Sequence, residues 1–219
     1  MIEFPESTRF DRRIPKKKFY ENLSVTPALK RIFTDQIDSI VWRNKFSSDT
    51  LNVAKGERVE ELEIFHIVLR QKHFDNAVLE LIDREIPYHI LFLLEFEGEF
   101  QVRIGYKEPS SGQAAFKVDA YYQTAWLAWE EFSLSLNGLT LDAVYENFVR
   151  QIAGESLATR AGSTTEDLKD AVGRDRQRQK LLKQISVLEN KVRREKQFNR
   201  QVALNAELNE LKINLRNLL

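Results

Sequence analysis

Leu62-Glu63-Ile64-Phe65-His66-Ile67-Val68-Leu69 is the stretch on which the reading of the fold turns. Its Ile, Val and Phe side chains suit a pleated surface better than a helix, and they follow one another almost without interruption. A strand covered on both faces requires that pattern. Working outward, Phe74 to Glu85 places Val78, Leu81 and Ile82 at helical spacing, and Pro87 stops the helix. Tyr88 to Phe96 holds Ile90, Leu91, Phe92, Leu93 and Leu94 and reads as a second buried strand. Glu97-Gly98-Glu99 then turns the chain into Phe100 to Tyr106, where Val102, Ile104 and Tyr106 alternate; this predicts a hairpin.

Upstream, Thr26-Pro27 makes a helix start from a capping hydroxyl and a proline at the first helical position. The helix runs to about Gln36 with Leu29, Ile32 and Phe33 on one side. Ile37 to Phe46 reads as a strand, Leu51-Asn52-Val53 as a short strand or its continuation, and Gly56 as a turn. Downstream, Pro109 to Gly112 is a loop, Phe116 to Tyr122 a further strand, and Trp126 to Leu136 a mixed segment. Leu141 to Ala153 is a helix with Leu141, Val144, Tyr145, Phe148 and Ile152 on one face. The fold class is therefore α/β or α+β: a mixed β-sheet of about five strands flanked by helices, followed by a C-terminal helical coiled-coil tail.

Four segments follow from composition: a basic N-terminal arm over 1–18, an α/β globular domain over 19–153, a linker over 154–173, and the helical tail over 174–219. The linker includes Ala161-Gly162-Ser163-Thr164-Thr165, small and polar, with room for one helical turn. The zero net charge is a cancellation: +3 in 1–18, −10 in 19–173 and +7 in 174–219. A basic tail on an acidic body can associate head to tail or engage a separate polyanion, or it can be a solvated helix face.

The tail has no proline, and from Asp175 onward no glycine. Leu181, Ile185, Leu188 and Val192 form one stripe at four- and three-residue steps; Leu204, Leu208, Leu211 and Leu215 form another. A seam that narrow needs another helix, so these residues and Phe198 are candidate partner contacts. The two stripes differ in register by two residues, and the slip falls at 196–200. A continuous or kinked helix is favoured over an antiparallel hairpin turning near Asn199, because neither glycine nor proline marks a turn. Arg174, Arg176, Arg178, Lys180, Lys183, Arg193, Arg194 and Arg200, with Lys191 and Lys196, offer repeated phosphate partners along the tail. No interleaved aromatics suggest base stacking, so such binding would tolerate sequence.

Chemistry is sparsely signalled. The absence of cysteine excludes disulfides, thiolate metal sites and cysteine nucleophiles, and fits a reducing compartment. With no apolar core of signal-peptide type at the start, and no apolar run longer than Ile90 to Leu94, a cytoplasmic protein with no membrane span is expected. His66, His73 and His89 show no metal-pair spacing, and no Walker loop, dinucleotide fingerprint or nucleophile elbow is present, so no cofactor and no metal are expected. A nuclease core needs acids and an acid-x-Lys pair around a metal; Asp49, Glu63, Glu95, Glu97 and Lys107 supply only a degenerate set, against the plainer reading of acids at strand ends facing water.

Several phrases together resemble a known family: Ile14-Pro15-Lys16 before Phe19-Tyr20, Ile40-Val41-Trp42, Leu62-Glu63-Ile64-Phe65, Ile82-Asp83-Arg84-Glu85-Ile86-Pro87-Tyr88, Tyr106-Lys107, and Glu195-Lys196-Gln197-Phe198-Asn199-Arg200-Gln201-Val202 running into Leu204-Asn205-Ala206-Glu207-Leu208. The set resembles the bacterial family called domain of unknown function 4391. The resemblance implies accessory proteins encoded beside helicases and DNA methyltransferases in phage-defence clusters, and it implies no catalytic residues. The expectation is a non-catalytic assembly subunit of an anti-phage, restriction-modification-like system. It would associate through its tail with itself or with a helicase or methyltransferase. The alternatives are a DNA-associated enzyme with a degenerate restriction-endonuclease-like site, or a sequence-tolerant DNA binder through the basic tail.

Overall fold

In a computed structural model, which describes residues 4–22, 25–109, 116–158 and 166–218, Leu62–Leu69 is strand β3, inside the sheet. The remaining strands are β1 (Arg9–Arg13), β2 (Ile37–Phe46), β4 (His89–Phe96), β5 (Glu99–Pro109), β6 (Phe116–Gln123) and the two-residue β7 (Leu127–Ala128). Strands β1 to β6 lie in sequence order across the sheet, and β7 adds to β5. The β3–β4 pair is parallel and its crossover carries helix α4 (Ala77–Glu85); every other pair is antiparallel, so the sheet is mixed as expected.

Alternation along the strands sends side chains to two faces. One buries Ile40, Phe65, Ile67, Ile90, Phe92 and Leu94 against Phe19 of α1 (Lys16–Asn22), Phe33 of α2 (Pro27–Asp35) and Val78, Leu81 and Ile82 of α4. The other is covered by α5 (Leu141–Ala153), whose Phe148 ring lies 6.2 Å from that of Phe46 and whose Tyr145 ring lies 4.4 Å from that of His89.

Two local readings are corrected. Leu51-Asn52-Val53 is not a strand: Ser48–Leu51 forms a helical turn, α3, because Ser47 and Thr50 satisfy one another's backbone N–H groups in a capping box. Asn52 then leaves it in the left-handed conformation. At the amino end, five of the residues assigned to the arm form the edge strand β1, paired with β2.

The chain divides into two units between Gly154 and Glu155. In the second, α6 (Leu168–Arg194) and α7 (Phe198–Leu218) fold back on each other. Lys212 pairs with Glu189 at 2.8 Å, and Gln201 Nε2 donates to the Val192 carbonyl at 3.3 Å, which fixes the antiparallel direction. The favoured continuous or kinked helix is thus replaced by the hairpin. Glu195 makes the turn without glycine or proline: its backbone is extended and its carboxylate accepts the Gln197 N–H at 2.8 Å. The segment Ala161–Thr165, read as linker, lies outside the described residues.

Candidate functional site

The two leucine stripes meet each other. Ile185 and Leu188 of α6 and Leu208 of α7 are buried, with Val192, Leu204, Leu211 and Leu215 packed around them. The slip of register follows directly, since two helices running in opposite directions need not share one heptad frame. Leu181 stands half-exposed outside this cluster, and Phe198, at the start of α7, is 75% exposed.

The basic residues separate into two groups. At the start of α6, Arg174 pairs with Glu166 at 2.7 Å and Arg178 with Asp175 at 2.8 Å, while Arg176 is likewise engaged. Nearer the turn, Lys180, Lys183, Lys191, Arg193, Arg194, Lys196 and Arg200 have no carboxylate partner among the described residues. At ~100° per residue, Lys180, Lys183, Lys191 and Arg194 share an arc of about 80° on α6, beside the buried seam rather than on it. The row is ~21 Å long at 1.5 Å per residue. Two hollows follow it. One of about 400 Å³ is bounded by Lys180, Lys183, Lys191, Val187 and Leu211; the other, about 500 Å³, is bounded by Lys191, Arg194, Arg200 and Leu204. Glu207 borders the first hollow and Glu195 the second, but in each the unpaired cations outnumber the acid, and cations beside apolar side chains make a track for a chain of anions.

The body offers no assembled nuclease centre from the five groups named by sequence. Lys107 is fully buried, 2.6 Å from Asp83, and donates to the Tyr88 carbonyl. Burial pushes Asp83 up and Lys107 down, each held back by the other's charge. Glu63 accepts the Trp42 indole N–H at 2.6 Å and is pushed up to about 8, chiefly by burial. Glu95 contacts His66 Nε2 at 2.6 Å. Asp49 sits in α3, and Glu97 in the β4–β5 turn. Among the described residues no group of three His, Asp or Glu is gathered to hold a metal ion, and no helix is long and apolar enough to cross a membrane.

Sequence reading missed one arrangement. His66 on β3, Glu95 on β4 and Arg43 on β2 share a sheet face, a proximity that only the strand register creates. Its one legible signal was a histidine within an otherwise apolar central strand.

The family model described as a domain of unknown function, DUF4391, matches residues 2–215. The chain belongs to the DUF4391 family. No curated protein and no solved structure matches it. For this DUF4391 chain, the hairpin and the sheet face therefore carry the functional argument on their own geometry.

Proposed function

We propose that this protein is a non-catalytic accessory subunit that holds a nucleic-acid backbone along its C-terminal hairpin, within a defence assembly of the kind the family resemblance implies. The observation that carries the reading is the row Lys180, Lys183, Lys191 and Arg194, with Arg200 across the turn, left without carboxylate partners although Glu166, before α6, and Asp175, on it, neutralise Arg174 and Arg178. The row touches phosphates and not bases, so recognition tolerates sequence. Fluorescence anisotropy with a labelled DNA duplex tests it. Neutralising five phosphates gives a slope of ~−4.5 in log K against log salt, and the double variant K183E/R194E weakens binding at least tenfold with helical content unchanged. A flat salt response, or an unaffected double variant, overturns it.

A second reading rests on Phe198, Val202 and Ile213, each more than half exposed and within about 60° of one another on α7, away from the seam. An apolar strip of this kind suits a protein partner, a helicase or methyltransferase subunit or a second copy. Phe198→Ala with Val202→Ala would then lower the light-scattering mass of the oligomer, or abolish capture of the partner, without changing DNA affinity.

A further inference from the structure

A cavity of about 440 Å³ opens over β1 and β2, lined by Phe4, Arg9, Asp11, Arg43, Asn44 and His66 among others. Three features set it apart from an ordinary surface hollow. Both strands beneath it are irregular there: the β1–β2 register shifts between Arg9 and Arg12, and the β2–β3 register shifts between Trp42 and Asn44, leaving Arg43 as the bulged residue. Bulges re-aim side chains, and they recur beside functional sites. Asp11, within the first bulge, has φ of 43°, a left-handed backbone that a residue with a side chain rarely adopts. A strained residue beside two bulges is a pointer to function.

The polar groups are arranged unequally. Arg9 is matched by Glu6 and Asp11 in exposed ion pairs at the rim. Deeper in, His66 and Glu95 are 2.6 Å apart with side chains 19% and 28% exposed. The carboxylate engages Nε2 and leaves Nδ1 as the ring's other polar atom. Arg43 has no carboxylate partner among the described residues; its guanidinium lies over the Trp129 ring at 5.1 Å. A guanidinium without a carboxylate partner presents a planar N–H fork, the geometry that grips two oxygens of one anion.

We propose that this cavity binds a small phosphate monoester of nucleoside-monophosphate size, its phosphate on Arg43 and His66 and its hydroxyl or amino donors toward Asp11 and Asn44. The rim acids, Glu6 and Asp11, outnumber Arg9, so a polyanion is repelled where a compact monoester with donors on its far end is accepted. The volume is far larger than a phosphate ion needs and falls within the usual range for small-molecule sites. His66 completes the site electrostatically. Burial lowers its proton affinity, Glu95 raises it and the Arg43 charge lowers it; among the described residues, Arg9, Asp11 and Glu6 are the other charged groups lining the cavity. A phosphate arriving at Arg43 offsets that cation and favours the imidazolium, so binding takes up a proton and strengthens as pH falls.

Calorimetric titration of the full chain with AMP, inorganic phosphate and adenosine tests this, with tryptophan fluorescence as a second readout near Trp129. Saturable AMP binding, weaker binding of phosphate and none of adenosine are expected. Arg43→Ala should lower AMP affinity at least tenfold and Arg43→Lys less. Affinity should rise from pH 8 to pH 6 in the wild type but not in His66→Asn. The hairpin variant K183E/R194E should bind AMP unchanged, which separates this site from the track on α6. Absence of AMP binding, or equal affinity in the wild type and Arg43→Ala with both folded by circular dichroism, overturns the proposal.

Discussion

The ammonium of Lys107 on β5 stands 2.6 Å from the carboxylate of Asp83 on α4, and neither side chain is exposed. Tyr121 on β6 donates to the other oxygen of Asp83 at 2.8 Å, so one buried carboxylate ties a helix to two strands. Gly105 makes room for it: a Cβ there would lie 3.1 Å from Asp83 Oδ2 and 3.0 Å from the Tyr121 ring. Removing one partner of such a pair strands an uncompensated buried charge. Lys107→Met should therefore cost about 3–5 kcal/mol in urea unfolding. Adding Asp83→Leu should recover part of the loss, since two apolar groups leave no charge to solvate. A double variant no more stable than Lys107→Met would contradict this account.

His89 makes stability depend on acid. It is 3% exposed between the rings of Phe116 and Tyr145, and burial pushes its pKa down to about 3 from 6.5. Below pH ~6.5 the unfolded chain binds a proton that the native chain refuses, so stability falls toward pH 3 by ~1.4 kcal/mol per unit. Glu63 has the opposite sign: its native pKa of about 8 exceeds the ordinary 4.5, so its contribution is full in acid and lost as pH rises through 8. Between pH 4.5 and 6.5 the slopes of His89 and Glu63 oppose each other. His89→Phe removes one opposing slope, so the denaturation midpoint of this variant relative to the wild type should increase as pH falls from 6.5 to 4.5.

How far the sequence carried the fold depends on which elements speak locally. Leu62–Leu69 and Leu141–Ala153 were legible to the residue because a run of β-branched and aromatic residues and an apolar stripe at helical spacing are local signals. Edge strand β1 was not, since Arg9-Phe10-Asp11-Arg12-Arg13 has no strand pattern and is ordered by the neighbouring β2. The hairpin was ranked below a continuous helix for a related reason: Glu195 turns the chain with a side-chain hydrogen bond that composition does not advertise. His66, Glu95 and Arg43 are far apart in sequence, and only register joins them.

Asp142 binds a loop to the start of α5. Its carboxylate accepts the N–H groups of Glu57 at 2.7 Å, Arg58 at 3.1 Å and Val59 at 2.8 Å, and Gly56 must lack a side chain because a Cβ would lie 2.3 Å from Asp142 Oδ1. Asp142→Ala leaves those three donors without their acceptor and should cost about 1–3 kcal/mol. Asp142→Asn keeps one acceptor oxygen and should cost less. Hydrogen exchange at 57–59 would report the release directly; unchanged protection in the alanine variant would remove Asp142 from this role.

The hairpin seam gives the last test, because its residues serve one of two masters. Ile185, Leu188 and Leu208 are buried by the opposing helix of their own chain. Leu188→Ala removes three carbons from that contact, and a loss of about 2–3 kcal/mol is expected for a site that can relax toward solvent. The loss should fall on α6 and α7: helical content drops on mild heating and amide protection declines there, while β3 and β4 exchange as before. The light-scattering mass should not change, since the seam joins helices of one molecule. A seam shared between molecules would instead shed mass in proportion to dilution, with helicity following concentration. Measuring both quantities on the same sample separates the cases: helicity lost at constant mass marks an internal seam, and mass lost before helicity marks a shared one.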